Sequence, residues 1–157
     1  FVRFCDAFNI PLVTLVDVPG FLCGSQQEHG GIISHGAKLL YAYGEATVPK
    51  VTVTLRKSYG GAYITMSSKH MRSEINLAWP SASFGVMGSE AAVRILHGKD
   101  MEDCNGLPGS PYTAAGTGCI DDIIEPRNTR FRIIRALEYL ADKKLGNPWK
   151  KHDNMPL

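Results

Sequence analysis

The sequence predicts an α/β fold in which the strands of a parallel sheet alternate with helices. Apolar runs rich in β-branched residues, at 11–18 and 50–55, alternate with stretches whose apolar residues recur at helical spacing. Glycine-rich turns follow both runs, at 19–21 and 58–63. Such alternation is typical of βαβ units, and it favours a parallel sheet with helices on its faces.

The first half of the chain contains two predicted strands and the helix between them. The run PLVTLVDV at 11–18 is bounded by prolines and predicts a buried strand. After a glycine-rich loop from Gly20 to Gly30, the stretch 31–46 has the spacing of an amphipathic helix. Pro49 ends that connection, KVTVTL at 50–55 predicts the second strand, and residues 56–63 turn into a helix through Met66.

The second half predicts shorter elements and one long helix. INLAWP at 75–80 and SFGVM at 83–87 predict short strands, and Ser89 is placed to cap a helix through Leu96. The segment 98–111 is rich in Gly, Pro, Asn and Asp, which indicates a loop. CIDDIIEP at 119–126 ends at a proline, and residues 130–145 predict a closing amphipathic helix.

Composition excludes several classes of protein. The 157 residues are 44% hydrophobic and 20% charged, which is typical of a single globular domain. A net charge of +2 argues against binding nucleic acid or a membrane surface by bulk charge. The four cysteines form no CxxC pair, so we expect neither a zinc site nor a disulfide scaffold. Because the chain begins at Phe1 without a targeting segment, we interpret it as the C-terminal part of a longer protein.

Familiar catalytic motifs do not occur in the sequence. It contains no GxSxG elbow, no phosphate-binding loop and no HExxH pair, and His29 and His35 are not spaced to share a helix face. Four acidic residues remain as candidate acids or bases, although such residues are more often caps or solvated charges: Asp17, Glu28, Asp121 and Asp122.

The two glycine-rich turns are the strongest candidates for a site. In open α/β sheets, ligands bind at the loops that follow the carboxyl ends of the strands. The turn Gly60-Gly61-Ala62 would present backbone N–H groups at the start of a helix, where no bulky Cβ blocks a ligand oxygen. That geometry suits an oxyanion hole. A turn that needs its glycines only for packing is the alternative, and the spacing by itself leaves both open.

Long segments of the chain resemble one enzyme family. The run from Asp6 to His70, which contains VDVPGF and RKSYGGAYITMSSKH, resembles the carboxyltransferase (β) subunits of biotin-dependent acyl-CoA carboxylases of the propionyl-CoA carboxylase type. AWPSASFGVMGSEAAV, IDDIIEPRNTR and the final NPWKKHDNMPL do so as well. The resemblance covers nearly the whole chain, in order, and is to the C-terminal half of such a subunit.

The resemblance implies a crotonase-like (ClpP/crotonase) ββα spiral, with residues 1–157 forming the C-terminal lobe that receives carboxybiotin. The N-terminal lobe, which handles the acyl-CoA thioester, would be absent here. By the same resemblance, the N–H groups of Gly61 and Ala62 would hold the ureido oxygen of biotin. The surrounding biotin and acyl pocket would be formed by Gly20, Phe21, Gly60, Tyr63 and Ile64.

The resemblance also implies chemistry, partners and location. The reaction would transfer CO2 from carboxybiotin to the α carbon of propionyl-CoA, giving methylmalonyl-CoA, with no metal and with ATP used only by a partner biotin carboxylase. Partners would be that biotin carboxylase with its biotin carrier, and further copies of the subunit in a hexameric trimer of dimers. The compartment would be the mitochondrial matrix in a eukaryote and the cytoplasm in a bacterium.

Two departures from the family pattern and three alternative functions stay open. Ile64 stands where propionyl-preferring relatives often have Asp, which indicates a broader acetyl- and propionyl-CoA enzyme as one alternative. The segment from Lys99 to Ser110 is shorter than its family counterpart. A second alternative is a decarboxylase or transcarboxylase subunit, which would run the same half-reaction in reverse. A third is that the isolated lobe is only an assembly module. We expect Tyr41, Tyr43 and Phe84 to be core residues rather than interface residues.

We expect three arginines and two tryptophans to have structural roles and not to bind substrate. Arg130, Arg132 and Arg135 predict a solvated helix face, and Trp79 and Trp149 predict packing anchors.

Overall fold

The computed structural model describes residues 1–88 and 109–149. The strands are β1 (Leu12–Val18), β2 (Lys50–Tyr59), β3 (Ile75–Ala78), β4 (Ser83–Gly85) and β5 (Asp122–Ile123). The helices are α1 (Val2–Ala7), α2 (Ser25–His29), α3 (Ile32–Glu45), α4 (Gly60–Thr65), α5 (Pro111–Gly116) and α6 (Thr129–Tyr139), with short 3-10 turns at Lys69–Met71 and Pro126–Asn128.

A parallel sheet organises the described residues, in the order β1-β2-β3-β5, with β4 also pairing β2. The ten-residue β2 is the central strand. It pairs with β1 on one side, and on the other side it pairs with β3 through Val51–Thr54 and with β4 through Lys57–Tyr59. The predicted parallel α/β architecture is confirmed, and all of the strands end toward the same edge.

Buried side chains form three clusters among the described residues. One packs Tyr63 and Phe84 between the sheet, α4 and α5. A second joins α1 to α3 through residues such as Cys5 and Tyr43, and a third joins the sheet to α6 around Leu77. Burying a side chain of this kind stabilises the fold by about 1.5–3 kcal/mol. The helices therefore hold both faces of β2, although Val13 and Leu15 on β1 stay exposed.

The amino edge of the sheet contains a network of buried charge. Lys50 is fully buried, and its Nζ donates to the carbonyl oxygens of Tyr43 (2.7 Å) and Met71 (2.9 Å). Glu74 accepts the Lys50 backbone N–H at 2.8 Å and pairs with Lys143 at 2.6 Å. Burial lowers the pKa of Lys50 to about 8, although the nearby Glu74 carboxylate acts in the opposite direction.

Several predicted boundaries differ from the structure. The second strand continues to Tyr59, because Ser58 and Tyr59 pair with β4, so the turn begins only at Gly60. The closing helix ends at Tyr139 instead of residue 145. Helices α1, α2 and α5 were not predicted, since each has only five or six residues and too few for a periodic pattern. The helix predicted from Ser89 to Leu96 lies outside the described residues, as does the segment 98–111 up to residue 108.

Outcomes for the aromatic residues are mixed. Tyr43 and Phe84 are core residues, as expected, and Tyr41 is half-buried. Trp79 is half-buried and donates its Nε1–H to Thr129 Oγ1 at 2.9 Å, which agrees with a packing anchor. The same prediction for Trp149 is wrong, because 87% of that residue is exposed.

Candidate active site at the carboxyl edge

The carboxyl edge consists of the residues that follow β1, β2 and β4, namely 19–21, 60–62 and 86–88. Because the three strands are parallel neighbours, these segments come together. β2 runs directly into α4, with Tyr59 still in extended conformation as the N-cap. Both glycine-rich turns singled out in the sequence therefore lie at one edge, where ligands bind in sheets of this type.

Gly60 makes the sharp turn from strand to helix. Its φ is +63°, a left-handed conformation that costs most residues about 1–2 kcal/mol. A Cβ at this position would lie 2.9 Å from the carbonyl oxygen of Val86, closer than real Cβ contacts. Only glycine satisfies both conditions, so the backbone at this turn can approach its neighbours closely.

Gly61 and Ala62 follow in the first turn of α4, and they differ in exposure. Gly61 is exposed, whereas Ala62 is buried in the core. The N–H groups of a first helical turn have no acceptor within their own helix. The turn is therefore open to solvent at Gly61, and a role of the Gly61 and Ala62 N–H groups as donors to a ligand stays a prediction.

Phe21 joins the first turn to the second. Gly20, with φ +128°, has no atom within 4 Å of the place a Cβ would occupy. A Cβ at Gly61 would lie 3.5 Å from Cε2 of Phe21, so the ring covers the turn at van der Waals distance. Phe21 is 37% exposed, which leaves part of its ring open to a ligand.

Tyr63 and Ile64 lie beneath the turn. The Tyr63 ring is buried and meets Phe84 edge-on, with ring centroids 5.7 Å apart. Burial raises the pKa of Tyr63 to about 12, and its hydroxyl has no hydrogen-bond partner in the described part of the chain. Ile64 is half-buried against the same cluster. Their side chains thus support α4 from below, and a role in the pocket stays a prediction.

Three of the candidate acids are held in ion pairs. Asp17 accepts from the Arg56 guanidinium through both carboxylate oxygens, and the hydrogen bond from Arg56 lowers the pKa of Asp17. Asp121 pairs with Lys69, and Asp122 pairs with Arg132.

The remaining polar candidates carry no metal site. Glu28 is exposed on α2. Within residues 1–88 and 109–149, no group of three His, Cys, Asp or Glu side chains could hold a metal ion.

Arg135 pairs with Glu138 on the exposed face of α6, as predicted for a solvated surface. Of the described helices, none is long and apolar enough to cross a membrane.

A groove of about 670 Å³ lies away from this edge, between the segment before β1, the segment before β2 and the chain after α6. Its lining includes Pro11, Pro49 and Lys143. It adjoins the amino edge, and neither glycine-rich turn contributes to its lining.

A family model described as the carboxyl transferase domain matches residues 1–155. The chain belongs to the carboxyl transferase family. Among curated relatives, it is 55% identical to the propionyl-CoA carboxylase beta chain of Roseobacter denitrificans, covering 100% of this chain and 33% of that protein. It is 57% identical to the mitochondrial propionyl-CoA carboxylase beta chain of Homo sapiens, covering 100% of this chain and 30% of that protein. The chain therefore spans about a third of the length of these relatives.

Solved structures agree with this membership. A transcarboxylase 12S structure with methylmalonyl-CoA and methylmalonic acid bound superposes with a TM-score of 0.93 at 52% identity, over 100% of this chain and 32% of that one. The beta subunit of P. aeruginosa geranyl-CoA carboxylase gives a TM-score of 0.79 at 25% identity, over 99% of this chain and 33% of that one. The crotonase-like fold implied by the sequence resemblance is thereby confirmed.

Sequence reasoning missed one residue near the site. Gly36 lies inside α3, and a Cβ there would lie 2.7 Å from Cζ of Phe21. A glycine in the interior of a helix is unfavourable, and that was the available signal. The sequence alone could not show which side chain the glycine accommodates.

Proposed function

We propose that this chain forms the carboxybiotin-accepting part of an acyl-CoA carboxyltransferase that converts propionyl-CoA to methylmalonyl-CoA. The observation that carries the proposal is the meeting of Gly60-Gly61-Ala62 with Phe21 at the carboxyl edge. Family membership and more than 50% identity to propionyl-CoA carboxylase beta chains support the choice of reaction.

The residues at this edge fit biotin. A ureido oxygen needs convergent N–H donors, which Gly61 and Ala62 would provide in the first turn of α4. Gly20, Phe21 and Gly60 form the wall, and the partly exposed ring of Phe21 offers an apolar surface to a bicyclic ligand. When bound, biotin supplies the carboxyl group and the nitrogen that accepts the α proton of the acyl-CoA.

The chain's own contribution is positioning and electrostatic stabilisation. The N–H groups of Gly61 and Ala62 would donate to the ureido oxygen of bound biotin and would stabilise negative charge there. One such donor contributes about 3 kcal/mol to transition-state stabilisation. The ion pairs of Asp17, Asp121 and Asp122 leave these carboxylates engaged elsewhere, which favours catalysis by backbone donors. Tyr63 and Ile64 would set the depth of the acyl pocket from below.

The complete enzyme is part of the proposal. The N-terminal lobe would supply the CoA site, and a partner carrying biotin carboxylase and the biotin carrier would use ATP to make carboxybiotin. A transcarboxylase 12S relative is described as a hexamer, which supports a hexameric trimer of dimers here. The location would be the mitochondrial matrix in a eukaryote or the cytoplasm in a bacterium, and the relatives include a mouse protein named mitochondrial and a bacterial protein.

A second candidate is the reverse half-reaction in a decarboxylase or transcarboxylase. Its support is the 52% identity to transcarboxylase 12S. The same turn would hold biotin while it accepts a carboxyl group from methylmalonyl-CoA. The two candidates share this site and differ in their partner subunits.

The test uses the full-length subunit with free biotin and either methylmalonyl-CoA or malonyl-CoA. Gly61→Pro removes one donor and should lower kcat about 100-fold or more. Gly61→Ala is the matched control, since it keeps the N–H and its Cβ makes an ordinary contact with Phe21. Equal rates for the two variants, or no biotin-dependent turnover by the wild type, would overturn the proposal. Similar rates with both CoA substrates would identify the broader enzyme suggested by Ile64.

A further inference from the structure

The ring of Phe21 is held between two glycines from different helices. Its Cε2 and Cδ2 atoms face Gly61, where a Cβ would lie 3.5 and 3.8 Å away. Its Cζ and Cε1 atoms face Gly36 on α3, where a Cβ would lie 2.7 and 2.9 Å away. The first pair of distances is ordinary contact, and the second is too short for any side chain.

Gly36 lies inside the 14-residue helix α3, five residues after the N-cap residue Gly31. Alanine is the more favourable residue in a helix interior, so a local preference does not explain the glycine. The other glycine of this helix, Gly44, provides a contrast. A Cβ there would lie 3.6 Å from Cε of Met71, an ordinary contact.

We propose that Gly36 is a positioning residue for the biotin site, since its missing Cβ lets the Phe21 ring lie flush between α3 and the Gly61 turn. This inference rests on the proposed function. A side chain at position 36 would push the ring toward Gly61 or out into solvent, because the ring is partly exposed and the α3 backbone is fixed by its helix. Either displacement alters the wall against which biotin packs while leaving the backbone donors in place.

The kinetic test compares Gly36→Ala with Gly44→Ala in the full-length subunit, with free biotin and methylmalonyl-CoA as substrates. We expect Gly36→Ala to raise the KM for biotin about tenfold and to leave the KM for methylmalonyl-CoA unchanged. Gly44→Ala should change neither. In a Phe21→Ala background, Gly36→Ala should have no further effect, because the ring it displaces is gone. An unchanged KM for biotin in Gly36→Ala, or an equal effect in both backgrounds, would overturn the proposal.

A double-mutant cycle measured by thermal unfolding separates this inference from the proposed function. Gly36→Ala should raise the unfolding midpoint more in the Phe21→Ala background than in the wild type, while Gly44→Ala should raise it equally in both. If the wild type shows no biotin-dependent turnover, the proposed function fails, and the role of Gly36 in that reaction fails with it. The cycle still shows whether Gly36 accommodates Phe21. Equal shifts for Gly36→Ala in both backgrounds would contradict the contact itself.

Discussion

The two edges of the parallel sheet are built in different ways. At the amino edge, Lys50, Glu74 and Lys143 form a dense network in which each polar group has a partner. At the carboxyl edge, Gly60 and Gly61 have no side chains, so Val86 and Phe21 pack directly against the turn. The first arrangement ties segments together through charge, and the second is the one that we propose presents backbone donors to a ligand. Substitutions at the amino edge should therefore affect stability, and substitutions in the turn at the carboxyl edge should also affect catalysis.

The largest effect on stability is expected from Glu74→Ala at the amino edge. Removing this carboxylate leaves the Lys50 backbone N–H without its acceptor and two ammonium groups without their counter-charge. We expect the free energy of unfolding to fall by about 3–5 kcal/mol. Urea unfolding of the full-length subunit measures this, with Glu138→Ala in the exposed pair with Arg135 as control. A loss no greater than the control's would mean that the network does not hold the edge together.

The pH dependence of stability should report the buried Lys50. Its pKa in the folded state is about 8, below its ordinary value of 10.5, so the folded chain disfavours the charged form. The free-energy cost of burying the charged Lys50 side chain is up to about 3 kcal/mol. This cost is full below pH 8 and is lost as the pH rises toward 10.5. Stability relative to Lys50→Met should therefore rise across that window. Parallel pH profiles for the two proteins would contradict the buried charge.

Gly60→Ala should affect both stability and activity at the carboxyl edge. Gly118 is the matched control, because its φ is +77° and no atom lies within 4 Å of its Cβ position. Alanine at 118 should cost about 1–2 kcal/mol from backbone strain alone. Alanine at 60 adds the 2.9 Å contact with Val86 and should also lower kcat/KM. If both variants lose the same free energy of unfolding and Gly60→Ala leaves kcat/KM unchanged, the turn requires glycine at position 60 only for its positive φ.

The smallest effect is expected from Asp17→Asn. Asp17 and Arg56 form an exposed pair close to the carboxyl edge, and solvent screens such pairs. Because the pKa of Asp17 is lowered, any stabilisation is present above the ordinary pKa of 3.8 and is lost as the pH falls below it. Unfolding midpoints at pH 7 should differ little, and biotin kinetics should be unchanged. A large kinetic defect would instead make Asp17 part of the site.

The sequence predicted those features that depend on local pattern. The strands at 11–18 and 50–55, the helix within 31–46 and the two glycine-rich turns follow from runs and spacings of neighbouring residues. Gly36 and Lys50 depend on residues distant in the chain, so no local pattern revealed their partners. The charge of Lys50 is compensated by groups 7 to 24 positions away, and the ring at Gly36 comes from a loop before α3. Tertiary contacts of this kind become visible only in the fold.

Strand β2 has a consequence for local opening of the chain. It is paired on both sides near its start and again at Ser58, and it runs without interruption from Lys50 to the first residue of the proposed biotin turn. Its amides can exchange with solvent only after both neighbouring strands separate, so they should be among the slowest to exchange. The donors at Gly61 and Ala62 are thus attached to a slow-exchanging segment. Their spacing should therefore persist while a ligand binds and leaves.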